Sequence, residues 1–142
     1  MKQYNKLKIA IIGAGSVSFC PGTLADILLS EPLSKLPVEI SLMDIDEQAL
    51  EVSGKYAQKV VEASGKDVKV SATLDLDKAI DGADFVITAV ELDRTHYWSM
   101  DFHIPRRYGF RQIFGENGGP GGMFHTLRNL PPVLNIARAM RC

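Results

Sequence analysis

The residues whose types and spacing promise chemistry begin with Gly13-Ala14-Gly15-Ser16-Val17-Ser18, followed at a distance by Asp44 and Asp46. In this G-x-G-x-x-S run Gly13 permits a tight turn, and Gly15 lets the backbone come close to an anion. A helix that opens just after it offers unpaired N–H groups and the positive end of its dipole. Gly13, Gly15, Ser16 and Val17 are therefore the expected contacts of a pyrophosphate. Ser18 stands where glycine or alanine usually serves close helix–strand packing, which it loosens slightly. A dinucleotide site also needs a carboxylate for the ribose hydroxyls at the end of the next strand, about 20 residues on. Asp44 has that place, the loop around Pro32 and Pro37 taking up the extra length. Its charge repels a 2′-phosphate, so NAD is expected rather than NADP. The alternative is a glycine turn with an incidental acidic strand end. Asp46 reads as a helix cap more than as a second ribose ligand.

Other reactive side chains make weaker patterns. His96, His103 and His125, even with Asp101 beside His103, show no i, i+4 pairing of the kind that holds zinc, so no metal site is expected among them. Ser16 and Ser18 lack a His–Asp partner pattern for nucleophilic catalysis. Cys20 and Cys142 have no metal-ligand spacing and are too few for a disulfide framework, which suits a reducing cytoplasm. Sixteen basic against seventeen acidic residues give a net charge of −1 and no basic stripe, which argues against nucleic acid as a partner. The apolar segment Leu7 to Ile12 is too brief for a signal peptide or a membrane span.

The elements that must position these residues follow an alternating plan. Leu7 to Ile12 is a near-continuous apolar run, as expected of a strand buried on both faces of a parallel sheet. A helix starts near Pro21, which cannot sit in a helix interior, and carries Leu24, Ile27 and Leu28 on one face. Residues 31–37 form a loop. Val38 to Met43 is a second strand, and Asp46 caps a helix running to about Ala63 with Leu50, Ala57 and Val61 at helical spacing. Val68 to Val70 is a short outer strand, Asp75 to Ile80 a short helix ending at a left-handed Gly82, and Phe85 to Val90 a fourth, buried strand. This is the pattern of a doubly wound, Rossmann-like α/β sheet with strand order 3-2-1-4. Residues 91–114 are rich in aromatics and charges and carry no assigned element. Tyr97, Trp98, Phe102 and Tyr108 there read as packing residues or as exposed association contacts. Gly115 to Gly122 holds five glycines, of which the run Gly118 to Gly122 is read as a ligand-wrapping or mobile loop, and Met123 to Arg141 is helical with a break or kink at Pro131-Pro132.

Four stretches together resemble glycoside hydrolase family 4: residues 8–19, residues 42–46, residues 79–87, and the run from Ile104-Pro105-Arg106-Arg107-Tyr108-Gly109 through Gly119-Pro120-Gly121-Gly122 to Leu127-Arg128-Asn129-Leu130-Pro131. The first three are shared in outline with lactate and malate dehydrogenases. The Ile-Pro-x-x-Tyr-Gly and Gly-Pro-Gly-Gly pair points to the glycosidases. The resemblance implies NAD and, in the complete family enzyme, a divalent metal of the Mn2+ type. It implies cleavage of a glycosidic bond by oxidation at the sugar C3, loss of the C2 proton, elimination and water addition, rather than two-carboxylate hydrolysis. The metal would stabilise enolate charge. The family's metal-binding cysteine and histidine and its tyrosine base are expected downstream, so catalytic residues here are unknown and Cys142 is not the metal ligand. On the sugar side the resemblance suggests Arg94, for a carboxylate or phosphate, and Asn117. Glu116-Asn117 departs from the family's usual Asp-Thr or Glu-Thr, which leaves the substrate subtype open. A surface arginine is the plain alternative for Arg94.

The expectation is thus an incomplete NAD-binding domain over residues 1–142, with a core to residue 90 and a glycine-rich and helical part from 91, inactive as a hydrolase by itself. Two rivals stay open: a hydroxy-acid dehydrogenase-like oxidoreductase, and a stand-alone NAD-binding module without catalysis. A sheet ending at the fourth strand exposes an apolar edge, expected to be covered by the C-terminal helix, by residues from 91 onward, or by another copy in a homo-oligomer.

Overall fold

The computed structural model describes residues 4–115 and 117–141, so Glu116 and Cys142 lie outside the described residues. The chain divides into two compact units, Met1–Ala89 and Val90–Cys142.

The first unit is a four-stranded parallel sheet in the order β3-β2-β1-β4, the expected doubly wound arrangement. β1 (Leu7–Ile12) and β2 (Val38–Met43) are its centre, paired in register from Leu7 opposite Val38 to Ile12 opposite Met43. Every residue of both strands except Lys8 and Glu39 is buried, as the apolar runs require. α1 (Cys20–Leu29) begins one residue before Pro21, where the missing N–H costs nothing, and buries Cys20, Leu24, Ile27 and Leu28. α2 (Glu47–Ser64) starts at Asp46, whose carboxylate accepts the Ala49 N–H at 3.0 Å, so Asp46 is the cap expected of it. A short 3-10 turn, Leu33–Lys35, occupies the intervening loop.

β3 (Val68–Thr73) is three residues longer than its apolar pattern suggested, because Ser71, Ala72 and Thr73 continue the pairing with β2 as an outer strand that needs no apolar cover. α3 (Leu76–Ile80) is capped by Asp75, and Gly82 follows with φ of 65°. Asp75, taking the Lys78 backbone N–H, is held below the usual carboxylate pKa. β4 (Phe85–Thr88) stops short of the expected Val90, although the Ala89 N–H still reaches Ile12 O at 2.8 Å. Its residues are partly or fully exposed, so the fully buried strand expected here is corrected: β4 pairs with β1 on one side only.

The second unit is a helix pair. α4 (Arg94–Arg107) occupies a segment to which the sequence assigned no element, and it packs on α5 (Gly119–Ala139). α5 starts four residues earlier than expected, inside the glycine run, with Pro120 in its first turn. α5 runs through Pro131 and Pro132 without the break that was one of the two expectations for them. Gly121 and Gly122 are buried, which corrects the reading of Gly118 to Gly122 as a loop: four of these five glycine-run residues are helix. No helix among the described residues is long and apolar enough to cross a membrane.

Candidate functional site

The turn after β1 and the end of β2 are built against each other. Gly13, at φ of 87°, turns the chain, and the N–H groups of Gly13 and Ala14 both donate to Met43 O, at 2.8 and 3.0 Å. This sets Asp44 beside Gly15. Asp44 Oδ2 accepts the Gly15 N–H at 2.7 Å, and Oδ1 accepts the Asp46 N–H at 3.0 Å. Each carboxylate oxygen keeps a lone pair for a further donor, so the two bonds orient the group without using it up.

Gly15 is required by this closeness. A Cβ there would stand 2.8 Å from the Ala49 Cβ and 2.9 Å from Asp44 Oδ2. Gly15→Ala is therefore expected to displace Asp44 and α2 together and to lower the urea midpoint by an amount equal to about 1–3 kcal/mol; an unchanged midpoint would show that the turn yields freely.

Ser16 closes the turn: its N–H donates to Gly13 O at 3.3 Å, and its Oγ accepts the Phe19 N–H at 3.2 Å. Val17 is 80% exposed, Ser18 is exposed, and no hydrogen bond ties either backbone N–H to a described residue. Ser16 O takes the Cys20 N–H at 3.0 Å, but α1 has no acidic residue in its first turn, so no charge there answers its positive end. Open N–H groups at Val17 and Ser18, a helix start without an acidic residue and an oriented carboxylate against Gly15 fit a pyrophosphate and an adjoining diol. Cys20 opens α1 but is fully buried, and that burial raises its thiol pKa, so it is no nucleophile for this site.

The two residues expected on the sugar side lie in the second unit. Arg94 opens α4, its Nε 3.4 Å from Glu91 Oε2. Asp93 before it has φ of 39°, a conformation L residues other than asparagine and aspartate adopt rarely. Asn117 is exposed, and its N–H donates to Phe114 O at 3.3 Å.

Reading the histidines and acids one at a time missed a polar network between α4 and α5. Asp101, 5% exposed, is bound by Arg128, which also lies over the Tyr97 ring at 4.6 Å. His125 Nδ1 is 3.8 Å from Glu91 Oε1 and 3.9 Å from Asp101 Oδ2. Asn129 Oδ1 accepts the Leu92 N–H at 3.1 Å. The available signal was spacing: His125, Arg128 and Asn129 share one helix face at i, i+3 and i+4. Among the described residues no three His, Cys, Asp or Glu side chains converge to hold a metal ion. Near His125 the guanidinium of Arg128 already takes Asp101. The donor set among the described residues does not fit a divalent metal.

Comparison with known proteins agrees with this geometry. The chain is 47% identical to an alpha-glucosidase of Erwinia rhapontici over 130 residues, which cover 91% of this chain and 28% of that enzyme. It is 35% identical to an alpha-galactosidase of Rhizobium meliloti (strain 1021), over 94% of this chain and 27% of that enzyme. A structure of the 6-phospho-beta glucosidase from Thermotoga maritima with manganese, NAD+ and glucose-6-phosphate superimposes with a TM-score of 0.81 at 26% identity, covering 95% of this chain and 32% of that one. The chain spans less than a third of the length of each of these relatives. With residues 8–142 also matching the model of the family 4 glycosyl hydrolases, the chain belongs to that family and corresponds to its N-terminal, Rossmann-like portion.

Proposed function

We propose that the first unit binds NAD and that, within a family-length enzyme, the second unit helps to hold a glycoside. The observation that carries the reading is Asp44 fixed by the Gly15 and Asp46 N–H groups at the glycine turn that leads into α1. Asp44 accepts the adenosine ribose hydroxyls, Gly13 and Gly15 keep the turn low enough for a pyrophosphate to approach, and the Ser16 and Val17 backbone lines its path. The negative charge of Asp44 turns away a 2′-phosphate. When bound, the nicotinamide supplies a hydride acceptor for a sugar carbon. Arg94 and Asn117 offer donors to the sugar, and no base or metal ligand is assigned among the described residues.

The relatives' names include plain glycosidases and a 6-phospho-glycosidase, so kinship leaves the charge of the sugar open. The sheet also resembles those of dehydrogenases, but the second unit's Ile-Pro and Gly-Pro-Gly-Gly segments favour the glycosidase reading over an oxidoreductase. A cytoplasmic setting follows from dependence on NAD. Met123, Leu127, Leu130 and Leu134 form an exposed apolar stripe on α5, which supports self-association into a homo-oligomer.

Titration calorimetry of the chain with NAD tests the cofactor reading. Saturable binding is expected, weakened roughly 10- to 100-fold by Asp44→Ala through loss of charge-assisted hydrogen bonds. Equal affinity in the variant, or no binding at millimolar NAD, would sink the reading.

A further inference from the structure

Resting on the reading of Arg94 as a sugar contact, we propose that Glu91 neutralises Arg94 and makes this site select neutral glycosides over phosphorylated or uronic ones. Arginine recognises phosphate and carboxylate through a free, planar fork of N–H donors. In this chain the fork is already engaged on one edge, with Arg94 Nε 3.4 Å from Glu91 Oε2.

Glu91 is not a loose surface acid. Its side chain is 24% exposed against 68% for Arg94, so the carboxylate is the better-held partner. Its second oxygen, Oε1, lies 3.8 Å from His125 Nδ1, a buried nitrogen without a hydrogen-bond partner among the described residues. The next residue, Leu92, gives its N–H to Asn129 Oδ1, so α5 holds the backbone of this segment while His125 lies near the Glu91 side chain. Asp93 adds another carboxylate directly before Arg94. Across residues 91–94 two acids face one base, a formal balance of −1. The neighbouring Asp101 and Arg128 answer each other and do not alter that balance.

An incoming phosphate or uronate therefore meets a guanidinium with one edge taken by Glu91 and a surplus of like charge beside it. A neutral sugar suffers no such repulsion, and the exposed remainder of Arg94 still presents donors to its hydroxyls.

The test is the Arg94 Nε–H signal in NMR spectra of the NAD-loaded chain, titrated with inorganic phosphate and separately with methyl α-glucoside at constant ionic strength. In the wild type, methyl α-glucoside should move the signal and phosphate should barely do so. Glu91→Gln keeps the shape and removes the charge, and should tighten phosphate binding at Arg94 by about tenfold. Asp93→Asn, which suits the left-handed backbone, should give a smaller gain in the same direction. Phosphate binding the wild type as tightly as the variants, or no gain in either variant, overturns the proposal. If phosphate enters the variants but methyl α-glucoside never moves the signal, Arg94 is not a sugar contact, and the selectivity falls with that reading while NAD binding stands.

Discussion

Gly121→Ala is expected to cost the second unit about 3 kcal/mol of stability, the upper end for overpacking a filled interior. The cause begins at Pro105. Proline has no N–H, so the carbonyl four residues earlier, that of Asp101, loses its helical partner. Gln112 Nε2 reaches that oxygen at 3.3 Å, and Gly121 of α5 packs directly against it. A Cβ at 121 would land on the Asp101 carbonyl and 2.7 Å from Gly115 O, both main-chain atoms that cannot swing aside. Gly115 is confined in the same way, its would-be Cβ 3.0 Å from the Asp101 Cβ and 3.2 Å from Trp98 O. Urea unfolding followed by hydrogen exchange should show the loss in residues 90–141, with residues 4–89 protected as before. Gly22→Ala is the matched control: open space surrounds that position, and a helix interior prefers alanine. Equal midpoints for the two variants would show that the helix pair separates easily and that Gly121 is not a packing requirement.

That mechanism explains a pattern visible in the sequence only as a resemblance. The Ile-Pro and Gly-Pro-Gly-Gly segments belong together because the proline bares a carbonyl and the glycine leaves room for it. The sheet was more directly legible: Leu7 to Ile12 and Val38 to Met43 are buried on both faces, and burial on both faces is what a continuous apolar run encodes. The site turn was legible too, because Gly15 and Asp44 each occupy a position that the strand ends dictate. α4 escaped for a physical reason. Its buried face consists of Asp101 and Pro105, one charged and one a helix breaker, so hydrophobic periodicity has nothing to register. Glu91 was overlooked because no element was assigned around it to make Arg94 at i+3 a partner, and His125 reaches it only through packing of α5. β4 was overestimated because Phe85 and its neighbours are apolar for strand pairing while lying at a sheet edge, where half the cover is missing.

Arg128→Ala is the second change with a large expected effect, about 3–5 kcal/mol, the usual cost of removing one partner of a buried ion pair. Asp101, 5% exposed, would be left without its guanidinium partner. The nearest remaining basic group is His125, 3.9 Å away, which does not supply the same bidentate contact. The variant also uncovers Tyr97, over whose ring Arg128 lies at 4.6 Å. Desolvation and pairing can be separated by a double-mutant cycle with Asp101→Leu and Arg128→Met. If the unpaired charge dominates, each single variant lowers the urea midpoint strongly and the double variant recovers most of the loss. If Arg128 acts mainly by covering Tyr97, Arg128→Met is nearly neutral and Asp101→Leu alone carries the cost. A loss below about 1 kcal/mol in Arg128→Ala would place the pair among surface salt bridges. In that case the helix pair would not rest on this ion pair, and the Asn129 bond to Leu92 would be what anchors the Glu91 segment to α5.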